Sequence, residues 1–182
     1  MGNWYRNAIK ATGIEKLDIF DSENNNTIDF NKIFPEPETK EECPKEFLFT
    51  VENPDHIEQM KNKPWFNWYK WRNKFWGVHA NTAFDKGDMS ATTAGETIFD
   101  TKCGTPYPII AKISKMLGDE VLTHECLDID TIYDTIIRTV WKNGKMIEAY
   151  QSVFEYDLES EDSDGKYGEF TPIDTTNTYD IQ

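Results

Sequence analysis

Residues 133–157 read "YDTIIRTVWKNGKMIEAYQSVFEYD", two β-branched and aromatic runs on either side of Asn143–Gly144. Asn-Gly suits a two-residue type I′ turn, because both central positions need positive φ and both residues tolerate it. The segment therefore predicts an antiparallel hairpin. Upstream, "EVLTHECLDI" (120–129) and "ETIFDTK" (96–102) read as further strands. Between them Pro106 and Pro108 open "YPIIAKISKML" (107–117). This is an amphipathic helix with Ile109, Ile110, Ile113, Met116 and Leu117 inward, ended by Gly118. The segment 77–95 reads as a loop.

The first fifty residues are less regular. "NWYRNAIKAT" (3–12) alternates Trp4, Arg6, Ala8 and Lys10 against Tyr5, Asn7, Ile9 and Ala11, a strand ended by Gly13. Residues 14–20 give at most a short helix, and 21–27 form a polar loop. "IDFNKIF" (28–34) reads as a strand stopped by Pro35 and Pro37. The segment 36–52 is acidic and irregular, with an apolar run at 47–51. Strands and helices in this order predict an α+β domain with an antiparallel sheet.

Residues 64–77, "PWFNWYKWRNKFWG", hold four of the six tryptophans. A helix is expected to start near Pro54, with Asn53 as cap, or to restart at Pro64, and to run to Gly77. At 3.6 residues per turn, Trp65, Trp68, Tyr69, Phe75 and Trp76 share one broad face. Phe66 and Trp71 fall off that stripe, which implies burial on more than one side. Base stacking would need a basic groove, and Lys63, Lys70, Arg72 and Lys74 supply one only locally. A membrane-surface helix would need a separate polar face. The core reading is the simplest.

The formal charge is −14 across 182 residues, with 29% charged side chains. Residues 155–182 carry nine acids and one lysine, a charge of −8, and the rest carries −6. Such a chain repels DNA, RNA and anionic membrane by default and is drawn to basic surfaces. The expected organisation is a domain at 1–157 and an exposed acidic extension at 158–182. Carboxylates on a scaffold can occupy a groove built for phosphates. The candidate partner-binding residues are Glu155, Asp157, Glu159, Glu161, Asp162 and Asp164, followed by Glu36, Glu38, Glu41 and Glu42. In a strand, Glu155 and Asp157 would project on one face. The plainer reading of these acids is a solvated surface that keeps the protein dispersed.

Other chemistry has weak signals. "HEC" places His124 and Cys126 on one face of a strand, with Cys103 and Asp128 as further metal ligands, but no paired ligand spacing completes a tetrahedral set. "SEDSDGKYGEFT" (160–171) echoes a calcium loop around Gly165, but has Ser160 first and Thr171 where the closing glutamate belongs. No nucleophile elbow, phosphate-binding glycine loop or zinc-protease motif occurs, so neither an enzyme nor a cofactor is expected. Three unpaired cysteines suggest reduced thiols and a cytoplasmic location in a host cell. No apolar run reaches the length of about 18 residues that a membrane helix needs. The alternative class of function is a nucleic-acid-binding accessory protein that uses the basic aromatic helix at 63–76.

Several of these strings, in their order, resemble a family of phage and plasmid proteins with the YubB-type ferredoxin-like domain. "NWYRNAIKATG" is similar to its Asn-Trp-Cys-x-Asn start, with Tyr5 in place of the cysteine. "IDFNKIFPEPE" (28–38) resembles its Phe-x-Lys-Ile-x-Pro-x-Pro segment. "NWYKWRNKFWGVHANT" (67–82) resembles its Trp-rich helix and Trp-Gly-Thr-Lys, with Val78 and His79 replacing Thr-Lys. "IFDTKCGTPYPIIAKIS" (98–114) resembles its strand, Pro-rich turn and second helix, without the tryptophan of the family near Lys102. The resemblance implies a ferredoxin-like antiparallel sheet with helices on one face, and a mobile-element setting. By analogy it implies an anti-defence protein, of which anti-CRISPR inhibitors of Cas9-type effectors and their guide RNA complexes are the best-known kind.

Overall fold

A computed structural model of the chain describes residues 3–23, 27–49, 63–82, 91–129, 135–156 and 165–174. The helix start near Pro54 and the acids at 157–164 lie outside the described residues. The fold is α+β, and the strand pairings among the described residues are antiparallel. Its strands are β1 (Trp4–Lys10), β2 (Phe20–Asp21), β3 (Thr27–Ile28), β4 (Ala91–Thr93), β5 (Glu96–Lys102), β6 (Leu122–Asp128), β7 (Thr135–Lys142), β8 (Lys145–Tyr156), β9 (Gly165–Tyr167) and β10 (Thr171–Pro172). The helices are α1 (Phe30–Ile33), α2 (Trp68–Phe75) and α3 (Tyr107–Met116).

The main sheet runs β10-β8-β7-β6-β1-β5-β4, with β9 also pairing β8; β2 and β3 form a separate pair. In chain order, β1 leads through α1 and α2 to the β4–β5 hairpin, and β5 leads through α3 to β6. Both helical crossovers return to the β6-β1-β5-β4 part of the sheet. The β7–β8 hairpin then extends it. Asn143 and Gly144 have φ of 48° and 79°, the two positive values a type I′ turn demands.

One face of the sheet carries the core. Ile9, Phe99, Leu122 and Trp141 from four strands pack with Ile109, Ile110 and Ile113 of α3, and with Ile14, Ile28, Phe30 and Trp76. Phe30 meets Trp76 and Phe99 edge-on, at 5.8 and 6.0 Å between ring centroids. The opposite face is ruled by charge pairs between neighbouring strands. Arg6 grips Asp100 with two bonds of 3.1 Å, Arg138 meets Glu125 at 2.7 Å, and Lys10 meets Glu96 at 3.2 Å. Phe170 lies 3.7 Å from the Arg138 guanidinium.

Several expectations need correction. The strand expected at 28–34 is a two-residue strand followed by helix α1, because Asp29 accepts a bond from the Asn31 amide and caps a helical turn. The loop expected at 77–95 contains β4. Met116, expected inward, is 42% exposed, since it sits in the last turn of α3 beyond the sheet. Part of the expected acidic extension is paired with the sheet. Residues 165–172 return as β9 and β10 on the edge of β8, and the Ser152 hydroxyl donates to the Gly168 carbonyl at 2.7 Å.

The aromatic segment is largely core and is buried on more than one side, but of the expected stripe only Trp76 is fully buried. Phe66, Trp71 and Trp76 are buried, while Trp65, Trp68 and Phe75 are half-buried and Tyr69 is exposed. The helix begins only at Trp68, where Asn67 caps it through the Lys70 amide. Trp65 and Phe66 therefore precede the helix, and a helical wheel does not describe them. A second small core of Cys43, Phe47, Phe66 and Trp71 takes the other side of α2.

Candidate partner-binding surfaces

Pro35, Pro37 and Pro44 fix φ along the acidic segment that follows α1. Its two ends are anchored. Cys43 and Phe47 enter the small core, and the Lys63 ammonium donates to the Pro37 carbonyl at 2.7 Å. Burial raises the Cys43 thiol above its ordinary pKa. Between the anchors, the Glu42 carboxylate accepts from the Glu38 and Thr39 amides at 3.3 and 3.4 Å, closing a turn. The side chains of Glu38 and Glu41 stand exposed, with no partner among the described residues.

Glu36 is different. It is half-buried, and its carboxylate accepts from Arg72 Nε at 2.6 Å. Arg72 also lies 5.0 and 4.8 Å from the Trp68 and Trp76 rings. The remaining cations of α2 face the same loop. Lys74 meets Glu46 at 2.8 Å, and Lys70 donates to the Glu46 carbonyl at 3.1 Å. The Lys74 ammonium lowers the Glu46 pKa. Thus Lys63, Lys70, Arg72 and Lys74, the basic set of the alternative reading, are each bonded to the acidic loop. Two segments that looked like rival surfaces in the sequence are bonded to one another across 24 to 36 residues of chain, with ion pairs at Arg72–Glu36 and Lys74–Glu46.

Of the acids near the C-terminus, the backbone of Glu155 pairs with Lys166 between β8 and β9. Asp157, Glu159, Glu161, Asp162 and Asp164 lie outside the described residues. The calcium-like string falls partly there too. Its last residue, Thr171, pairs with β8 in strand β10.

His124 is fully buried and built into a chain of directed hydrogen bonds. Asn7 Nδ2 donates to the Tyr5 carbonyl at 3.0 Å, which fixes the amide orientation and leaves Oδ1 as an acceptor. His124 Nε2 must then carry the proton it gives to Asn7 Oδ1 at 3.0 Å. Nδ1 accepts from the Thr139 hydroxyl at 3.2 Å, which in turn accepts from Trp141 Nε1 at 2.8 Å. Asn7 also donates to Thr101, and Thr101 to the Gly104 carbonyl. Both imidazole nitrogens are occupied. Burial pushes the His124 pKa down to about 3. Cys126 sits 3.2 Å from the Thr105 hydroxyl, and burial pushes its thiol up to about 11. Cys103 is exposed. Among the described residues no three His, Cys, Asp or Glu side chains stand close enough to hold a metal ion.

A feature without a sequence signal lies between α2, α3 and the tip of the β7–β8 hairpin. There a groove of about 390 Å³ is lined by Phe34, Phe75 and four lysines, Lys74, Lys112, Lys115 and Lys145. The Gly144 amide donates to Ser114 Oγ at 3.2 Å and holds the hairpin tip on α3. That docking brings Lys145 beside Lys112 and Lys115.

No protein-family model, curated protein or solved structure matches the chain. Among the described residues, no helix is long and apolar enough to cross a membrane.

Proposed function

We propose that the chain is a binding protein that inhibits a nucleic-acid-handling complex by presenting carboxylates to a basic, phosphate-binding surface. The observation that carries this reading is the loop at 36–46. Glu38 and Glu41 project from a segment held by three prolines, a buried phenylalanine and an ion pair to α2. Carboxylates held in advance lose little freedom on docking, so more of the interaction appears as affinity. The charge of −14 adds long-range attraction to a cationic partner.

The partner in this proposal is a CRISPR effector of the Cas9 type or its guide RNA complex, whose channels hold nucleic-acid strands with basic side chains. The resemblance to YubB-type phage and plasmid proteins supports that choice. The ferredoxin-like reading of the domain is supported by the β6-β1-β5-β4 order, with helices in both crossovers. Glu155, Asp157, Glu159, Glu161, Asp162 and Asp164 are proposed as the second acidic contribution.

The test is a DNA-cleavage assay with a guide-loaded effector, the protein and two variants. Glu38→Gln with Glu41→Gln should weaken inhibition about tenfold or more while leaving the melting curve unchanged, because both side chains are exposed and unpaired. Neutralising Glu159, Glu161, Asp162 and Asp164 should act in the same direction. Full inhibition by both variants would remove the acidic-surface reading. No effect of the parent protein on cleavage would remove the choice of partner.

A further inference from the structure

We propose that the groove between α2, α3 and the hairpin tip is a binding site for single-stranded nucleic acid, with a base on the phenylalanine floor and phosphates on the lysine rim. The site differs from the basic face of α2. Three of its cations, Lys112, Lys115 and Lys145, have no carboxylate partner among the described residues, whereas the cations along α2 are bonded to the acidic loop. On a chain of charge −14, a cluster of lysines left uncompensated is a local reversal of sign. Exposed charges act over about 8 Å at physiological ionic strength, so a groove-sized cluster attracts an anion despite the acidic whole.

Each part has a structural origin. Lys112 and Lys115 are three apart on α3 and share a helix face. Lys145 follows the turn residue Gly144, where an added Cβ would stand 3.3 Å from the Ala111 carbonyl oxygen. Only so close a seat brings the third lysine to the helix. The rings of Phe34 and Phe75 lie 5.5 Å apart at the base of the groove and are half-buried. Lys112 is 5.6 Å from the Phe34 ring, and Lys74 is 5.6 Å from the Phe75 ring. The rings thus hold the ammonium groups over the groove. A volume near 390 Å³ accommodates a small organic ligand such as one nucleotide. Aromatic floor plus cationic rim is the combination that binds single strands through stacking and phosphate contacts. An acidic peptide would engage the rim alone and make no use of an aromatic floor for stacking. This inference does not rest on the proposed inhibition of an effector.

The experiment is fluorescence anisotropy of the full chain with a labelled oligothymidylate of about ten nucleotides, beside labelled polyglutamate. The oligonucleotide should bind, with log K falling against log salt at a slope of about −2 for three lysine–phosphate contacts. Changing Lys112, Lys115 and Lys145 together to Gln should weaken it about tenfold or more, and changing them to Arg should preserve it. Melting curves of both triple variants should match the parent, since these ammonium groups support no ion pair among the described residues. Absence of oligonucleotide binding, equal binding by the Gln variant, or equally tight binding of polyglutamate would overturn the proposal.

Discussion

His124 and Trp71 show how single side chains carry consequences for the whole. Buried His124 is held neutral, with a pKa pushed down to about 3, whereas in the unfolded chain it titrates near 6.5. Between these values the unfolded chain binds the extra proton, so stability falls as pH drops from about 6.5 toward 3, by up to about 1.4 kcal/mol per pH unit. Chemical denaturation across that window should show the slope, and His124→Gln should flatten it. An unchanged slope in the variant would place the titrating groups elsewhere. Two of the buried indoles provide a second contrast. Trp76 Nε1 donates to the Phe34 carbonyl at 3.0 Å, while Trp71 Nε1 has no partner among the described residues. Trp76→Phe should therefore cost about 2 kcal/mol or more, from a smaller ring and a stranded carbonyl. Trp71→Phe should cost about 1 kcal/mol less than Trp76→Phe, because it also removes an unsatisfied donor. Equal losses in urea melts would contradict the difference.

Among the elements, those with a strict period of two and a turn signal were legible: β1, β5, β6 and the β7–β8 hairpin fall where alternation and Asn143–Gly144 put them. Helix α3 was legible from its proline start and isoleucine stripe. Helix α1 was not, since four residues are too few to show a period and "IDFNKIF" alternates like a strand. Helix α2 was placed but begun too early, because the Asn67 cap decides where its first turn begins and "PWFN" ahead of it does not belong to the helix. Its far end is set by Gly77, whose φ of 76° is left-handed and whose added Cβ would stand 2.8 Å from Pro108 Cδ. Gly77→Ala should cost about 1–2 kcal/mol from backbone conformation alone, with more from the clash. Gly13, also left-handed but in open space, is the control: Gly13→Ala should incur the backbone cost and no more. Matching melting temperatures for the two variants would show that the α2–α3 approach is looser than these distances.

For the whole molecule, pairing across long separations determines which charges remain available. Composition gave the acidic balance correctly but not its distribution. Glu36 and Arg72 are 36 residues apart and read separately as an acidic and a basic surface, yet they meet at 2.6 Å. The lysine groove was equally hidden, because its rim comes from a helix face and a hairpin tip that only docking unites. Of the loop acids proposed to meet a cationic partner, Glu38 and Glu41 are exposed and have no side-chain partner among the described residues, and the proposal joins them with the acids of 155–164. The most direct measurement is the affinity of the intact protein for a guide-loaded Cas9-type effector over a range of salt concentrations. Exposed carboxylates meeting a basic channel predict binding that is tight at low salt and weakens steeply toward physiological ionic strength and beyond, with association rate falling more than dissociation rate rises. Affinity that does not change with salt, or no binding at low salt, would contradict an inhibitor that works through its acidic surface.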